Sequence, residues 1–158
     1  MLYWIFDLDY TLYNLPYTNS FCYSMLNEDN ILNLMLNDLP SQKLIFTNGT
    51  YKHCVTCLSK INISNNFSNI IARDIINDLK PNFSSYYKFI ELNQINRNDL
   101  CIFFEDSIDN LIMAKNIGWI TVLITNKLIN NKNIDFQFPS IKIALNFFLK
   151  KINHHLKP

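Results

Sequence analysis

Charge is scarce in this chain. Only 17% of its 158 residues are charged, and they leave a formal net charge of +1. No basic surplus points to nucleic acid, and no acidic block points to a solvating tail. Glycine is scarcer still, with 2 residues in a chain rich in asparagine and isoleucine. That bias is of the kind nucleotide composition imposes and says nothing about chemistry. It does blur helix signals, because asparagine competes for backbone hydrogen bonds. No apolar stretch runs uninterrupted far enough to cross a bilayer, so no membrane association is expected. The apolar start lacks a basic flank and is interrupted by Asp7, so a signal peptide is not expected either. The four cysteines (Cys22, Cys54, Cys57 and Cys101) have no framework spacing, which suits reduced thiols in an intracellular, cytoplasmic protein. Internal repeats and long linkers are absent.

What is present suits one compact domain over residues 1–158, since 49% of the residues are hydrophobic and a chain of this length can bury a real core. Near-continuous apolar runs occur at 2–6, 43–47, 67–72, 100–104 and 120–124. Such runs predict strands covered on both faces, as in a parallel sheet. Between them, 51–61, 83–94 and 107–118 carry apolar positions at helical spacing, with Gly118 as a stop, and 139–152 reads as a closing helix with Pro139 near its start. The alternation predicts an α/β domain: a doubly wound, Rossmann-like parallel sheet with helices on both faces.

Sites in such sheets lie beyond the carboxyl ends of the strands. There the sequence places Asp7 and Asp9, Thr47 and Asn48, and Glu105 and Asp106. Acids gathered from separate strand ends repel one another, and some take up protons unless a cation joins them. An all-oxygen donor set favours Mg²⁺ over softer metals and suits phosphate chemistry. Against this, an acid after a strand is also an ordinary helix cap, a fair reading of Asp106-Ser107 taken alone.

The motifs together resemble a known family. "FDLDYTLY" (6–13) resembles the first motif of the haloacid dehalogenase-like hydrolases, and "IFTNGT" (45–50) the second. "DLKPNFSSYYKFIE" (78–91) is similar to the third, and "FFEDSIDNLIMAKNIGWITVLI" (103–124) to the fourth. Within that superfamily, "FTNGTYKHCVTCLSKINI" and "EDSIDNLIMAKNIGW" look most like the pyrimidine 5′-nucleotidase branch. The resemblance implies a Mg²⁺-dependent phosphomonoester hydrolase with an aspartyl-phosphate intermediate. Asp7 is then the nucleophile, and Asp9 the acid and later the base. Mg²⁺ is held by Asp7, Asp106 and the Asp9 carbonyl. Thr47 and the Asn48 amide grip the phosphate, Lys80 neutralises charge beside it, and Glu105 and Asn110 support the metal and the lysine. A carboxylate attacking a phosphate dianion needs such cationic screening.

Three features depart from the family pattern. Tyr10 stands in a tight turn where Gly or Asn is common, and Glu105 replaces a frequent Gly or Asp. The helical cap of the nucleotidase branch shrinks to an insert at about 14–40, where "EDNILNLMLNDL" predicts a helix burying Ile31, Leu32, Met35 and Leu39. A reduced cap predicts an open site, either for a phosphate on a large molecule or closed by a second subunit of a homodimer. A phosphorylated small molecule, a nucleotide among them, is the first expected substrate. A macromolecular phosphate (a nucleic-acid end or a protein) is the alternative, and a non-catalytic binding module is the reading from another class. The CxxC at Cys54–Cys57 has no second pair and predicts no zinc site. His53 is expected either near the site or packed as a cap. His154 and His155 read as a solvated tail, and Phe83, Tyr86, Tyr87 and Phe89 as core.

Overall fold

The structure, a computed structural model, describes residues 1–14 and 21–155, with side chains through residue 153. Strands β1 (Leu2–Phe6), β2 (Gln42–Thr47), β3 (Asn69–Ala72), β4 (Leu100–Glu105), β5 (Ile120–Ile124) and β6 (Phe136–Phe138) form one sheet in the order β3-β2-β1-β4-β5-β6. Every pairing is parallel. The helices are α1 (Asn30–Asp38), α2 (Tyr51–Lys60), α3 (Arg73–Ile76), α4 (Phe83–Leu92), α5 (Ile108–Asn116) and α6 (Ile141–His155). Short 3₁₀ turns lie at Tyr23–Met25 and Ser64–Asn66.

The apolar runs are explained by burial on both faces. Trp4 and Phe6 of β1 join Ile45, Ile102, Phe104 and Val122 in one core, which buries Leu32 and Leu36 of α1, Cys54, Cys57 and Leu58 of α2, and Ala144 and Leu145 of α6. Tyr3 and Ile5 face the other way, into a core with Phe46, Phe103 and Leu123 that buries Ile76 of α3, Tyr86 and Phe89 of α4, and Leu111 and Ala114 of α5. Phe6 and Phe104, opposite each other in the register, stack at 4.8 Å with planes 7° apart. Such pairs add roughly 0.5–1.5 kcal/mol beyond burial alone. The expected α/β architecture, with helices on both faces, is therefore the one observed. Gly118 ends α5 with φ +90, the left-handed conformation its missing Cβ permits.

Several local expectations need correction. β3 begins at Asn69, and β6 and α3 were not foreseen. A three-residue strand and a four-residue helix carry too little periodicity to register. In α1 the buried side is Leu32, Leu36 and Leu39, while Ile31 is 63% exposed. Leu36 lies in the core, Met35 packs partly buried against it, and α1 lies beside α6. In α4 Tyr86 and Phe89 are buried, but Phe83 and Tyr87 face solvent, because one helix side cannot turn all four inward. Residues 15–20 of the insert and the side chains of His154 and His155 lie outside the described residues.

Candidate active site

The chain runs from β1 to β2 on one side of the sheet and returns through β3 to β4 on the other side of β1. The crevice between the carboxyl ends of β1 and β4 is therefore a topological switch point, where open α/β sheets bind ligands. The Asp7 amide extends the pairing one residue further, donating to the Phe104 carbonyl at 2.9 Å. Past these strand ends lies a cleft of about 610 Å³. Its walls include Asp7, Asp9, Thr47, Asn48, Lys80, Glu105, Asp106 and Asn110, so every site residue expected from the sequence lines one cleft.

Lys80 organises its floor. The side chain is buried, and its ammonium lies 5.1 Å from both the Phe46 and Phe103 ring centres. Its three protons go to Asp7 Oδ1 at 2.8 Å, Glu105 Oε2 at 2.7 Å and the Phe46 carbonyl at 2.7 Å. Burial opposes that charge, but Asp7 and Glu105 together raise the ammonium above the ordinary lysine value. The loop is fixed by Asn48, whose carboxamide accepts from the Lys80 amide at 2.8 Å and donates to the Lys80 carbonyl at 2.9 Å. Lys80 therefore grips the nucleophile candidate directly, and the Asn48 side chain holds the lysine's backbone.

Glu105, 1% exposed, is the most connected acid. Besides Lys80, it accepts from the amides of Asp106 and Ser107 at 3.0 and 3.1 Å and from Asn110 Nδ2 at 2.9 Å. Burial would raise its pKa, but Lys80 and these donors hold it below the ordinary glutamate value. Ser107 precedes α5 yet makes no side-chain cap bond, so the helix-cap reading of Asp106-Ser107 finds no support. Asn110 reaches Lys80 only through Glu105.

Asp7, Glu105 and Asp106 each place a carboxylate oxygen within 4.8 Å of the other two. Three carboxylates face one buried ammonium, which leaves a surplus of negative charge. Asp7 is pushed up to about 7, by burial first and by Glu105 second. Asp106 is pushed up to about 8, by the protein around it and then by Glu105 and Asp7; since the residue is exposed, the neighbouring charges are the firmer cause. Oxygen donors, crowded and under-neutralised, fit a hard dication.

Asp9 turns away from this group. Its Oδ1 lies 2.8 Å from His53 Nε2 and accepts from the Tyr13 hydroxyl. His53 Nδ1 lies 3.0 Å from the Tyr23 hydroxyl, and the Phe21 ring packs edge-on against the imidazole. Of the two outcomes expected for His53, the structure shows the one at the site. Gly49 permits this approach, since a Cβ there would lie 3.0 Å from His53 Cδ2 and 3.2 Å from Thr47 Oγ1. Thr47 Oγ1 accepts from the Gly49 amide at 2.9 Å. Tyr10 lines the cleft at φ 62, the left-handed region where Gly or Asn sits with less strain.

Sequence reasoning missed Arg73, Tyr13 and Tyr23. Arg73 follows the carboxyl end of β3 and lines the cleft, so the strand-end rule that found the acids also reaches it. Tyr13 closes the first motif, where no role is assigned to it, and Tyr23 lies in no motif.

The model of the haloacid dehalogenase-like hydrolase family matches residues 27–124. The chain belongs to that family. The matched span starts after Asp7 and Asp9, so the first motif rests on its own residues and their placement. Among solved structures, this family member is similar to the L-2-haloacid dehalogenase of Xanthobacter autotrophicus with chloropropionic acid covalently bound. That match has a TM-score of 0.63 at 16% identity, covering 80% of this chain and 62% of that one. The HAD phosphatase of Thermococcus onnurineus gives 0.59 at 20%, covering 73% and 54%. The HAD-hydrolase YfnB of Bacillus subtilis, bound to magnesium, gives 0.61 at 19%, covering 78% and 55%. The chain thus spans 54–62% of the length of these structures, and at such identities they share its fold. No curated protein matches its sequence. Among its described residues, no helix is long and apolar enough to cross a membrane.

Proposed function

We propose that this family member is a Mg²⁺-dependent phosphomonoester hydrolase working through an aspartyl-phosphate on Asp7. The observation that carries this is the Lys80 ammonium bonded to Asp7 Oδ1 in a cleft that also receives Asp9 and Asp106. Lys80 holds the Asp7 carboxylate in place and supplies positive charge beside the incoming phosphoryl group. The ion would be held by Asp7, Asp106 and the Asp9 carbonyl, and would supply charge stabilisation to the transferring phosphoryl oxygens. Thr47, whose hydroxyl oxygen accepts from Gly49, keeps its proton to donate to a phosphate oxygen. Asp7 attacks phosphorus, and Asp9 protonates the departing oxygen. Asp9 then takes a proton from the water that cleaves the acyl phosphate.

The expected substrate is a phosphorylated small molecule, and likeness to the pyrimidine 5′-nucleotidase branch makes nucleotides the first group to try. The whole chain is read as one domain with a reduced cap. Of the insert at about 14–40, α1 packs beside α6 in the core layer, and Phe21 and Tyr23 reach the site at His53. That leaves room for a macromolecular phosphate or for closure by a second copy. The test is hydrolysis of an aryl phosphate with and without Mg²⁺, in wild type and Asp7→Asn, beside a screen of nucleotides, sugar phosphates, phosphorylated oligomers and 2-haloacids. Metal-dependent turnover lost in Asp7→Asn supports the reading. Release of halide without phosphate release would replace it with a dehalogenase, and no turnover of any class would favour a binding module.

A further inference from the structure

Behind Asp9 lies a second cluster of a different chemical character. Asp9, His53 and Cys57 each offer one ligand atom within 4.8 Å of the others. His53 and Cys57 are four apart on α2 and so share one helix face. Cys57 Sγ lies beside the ring, 3.7 Å from His53 Nε2 and 3.8 Å from Nδ1, and His53 Nε2 lies 2.8 Å from Asp9 Oδ1. Around one tetrahedral zinc, with bonds of about 2.0–2.3 Å, neighbouring ligand atoms stand roughly 3.3–3.6 Å apart. The Cys57–His53 separation is close to that spacing, the His53–Asp9 separation is shorter, and a turn of the Cys57 side chain with a small retreat of Asp9 would bring the three onto one ion. A further observation points the same way: the Tyr23 hydroxyl engages His53 Nδ1 at 3.0 Å. A partner on the far nitrogen fixes the ring with Nε2 toward Asp9, the kind of contact that orients metal-bound histidines.

We propose that Asp9, His53 and Cys57 form a site for a borderline divalent ion of the Zn²⁺ class, distinct from the all-oxygen group, and that its occupation switches the hydrolase off. The sulfur and the imidazole select against Mg²⁺, while the Asp7, Glu105 and Asp106 oxygens suit it. On binding, Cys57 releases its thiol proton to solvent. The His53 proton shifts from Nε2 to Nδ1 by exchange with solvent so that the Tyr23 oxygen accepts it there, and metal–thiolate and metal–Nε2 bonds form. The Asp9 carboxylate changes its contacts from Tyr13 and His53 to the ion. The fourth position falls to water or to the Tyr13 hydroxyl, which touches Asp9 and lies 3.4 Å from Cys57 Sγ. Loss of activity rests on the reading of Asp9 as acid and base; ion binding does not.

Binding is tested first, without substrate. The full chain is titrated with Co²⁺, and the thiolate-to-cobalt charge-transfer band is followed by absorbance, with Zn²⁺ added to displace it. A band in wild type and in Cys22→Ser, but not in Cys57→Ala, supports the site. Cys57→Ser serves where Cys57→Ala fails to fold by circular dichroism. Tyr23→Phe should weaken Co²⁺ affinity on the order of tenfold. No band in wild type, or a band surviving loss of the Cys57 sulfur, overturns the site whether or not the protein hydrolyses phosphoesters. Inhibition is tested second, with Zn²⁺ at constant Mg²⁺. The midpoint should rise at least about tenfold in Cys57→Ala. A cobalt band together with unimpaired turnover in Zn²⁺ overturns the switch and leaves the binding site standing.

Discussion

Replacing Lys80 by Met keeps an unbranched apolar stem between the Phe46 and Phe103 rings and removes the ammonium. Asp7 and Glu105 would then be buried carboxylates without their cation, the situation that costs about 3–5 kcal/mol when one partner of a buried pair is deleted. In a chain of this length each kcal/mol moves Tm by roughly 2–4 °C, so a fall of roughly 6–20 °C is expected near neutral pH. The pH dependence carries the sign. In wild type Lys80 holds Glu105 below its ordinary pKa. Without it, burial raises Glu105 above the value of the unfolded chain, and the folded variant keeps a proton that the unfolded chain has released. That proton protects the variant below the carboxylate range, and the protection is lost as pH rises through the raised folded pKa. The gap between wild type and Lys80→Met should therefore widen from about pH 5 to about pH 8. Urea unfolding of both proteins in metal-free buffer measures it. A loss under about 1 kcal/mol at the higher pH, or an equal loss at both, would refute the view that Lys80 is the main counter-charge of the floor.

Three other outcomes are expected. Asp7 and Asp106 are raised to about 7 and about 8, so the folded metal-free protein binds more protons than the unfolded chain and loses stability as pH rises through those values. Protons and Mg²⁺ compete for the same oxygens; the rise in Tm on adding Mg²⁺ should be larger near pH 8.5 than near about pH 6, and an equal rise would count against the acidic group as the binding site. Gly49→Ala places a methyl against His53 and Thr47, and should cost about 1–3 kcal/mol in urea and lower kcat at least about tenfold, because both neighbours face the site. Phe104→Ala opens the layer where Phe6 and Trp4 stack, and should cost about 3–5 kcal/mol with Mg²⁺ affinity of the surviving folded protein unchanged.

The sheet was legible because its strands are buried on both sides: continuous apolar runs at 2–6, 43–47 and 100–104 admit few other structures. The acids were legible because the chain places them where those runs stop. Less legible was anything decided by which way a side chain turns. Ile31 and Leu36 are both apolar, yet Leu36 is in the core and Ile31 in solvent, a choice made by tertiary packing. Asn48 was placed at the site by its strand end, but no local pattern told that its carboxamide holds the backbone of Lys80, 32 residues further on. Glu105 looked like a variant at a position where a shorter residue is common. Its added length lets one oxygen span to Lys80 and Asn110 while the other takes two amides. No local pattern could announce a contact that depends on the reach of one methylene.

The same point resolves why two acids can stand one residue apart at the end of β1. After Phe6 the chain leaves the strand, and Asp7 and Asp9 do not share an environment. Asp7 turns into the floor, where a buried ammonium 73 residues away meets it, and Asp9 turns to the imidazole and phenol of His53 and Tyr13. Repulsion between the two is reduced by giving each acid its own partner. What the floor still lacks is neutralisation of Glu105 and Asp106 beyond what one lysine provides. That residual charge, not the mere spacing of the aspartates, is the physical reason to expect a dication there. It follows that weakening the dication's site by Asp106→Asn should raise the metal-free protein's stability at alkaline pH while lowering its response to Mg²⁺, a pairing of effects that an ordinary surface acid would not give.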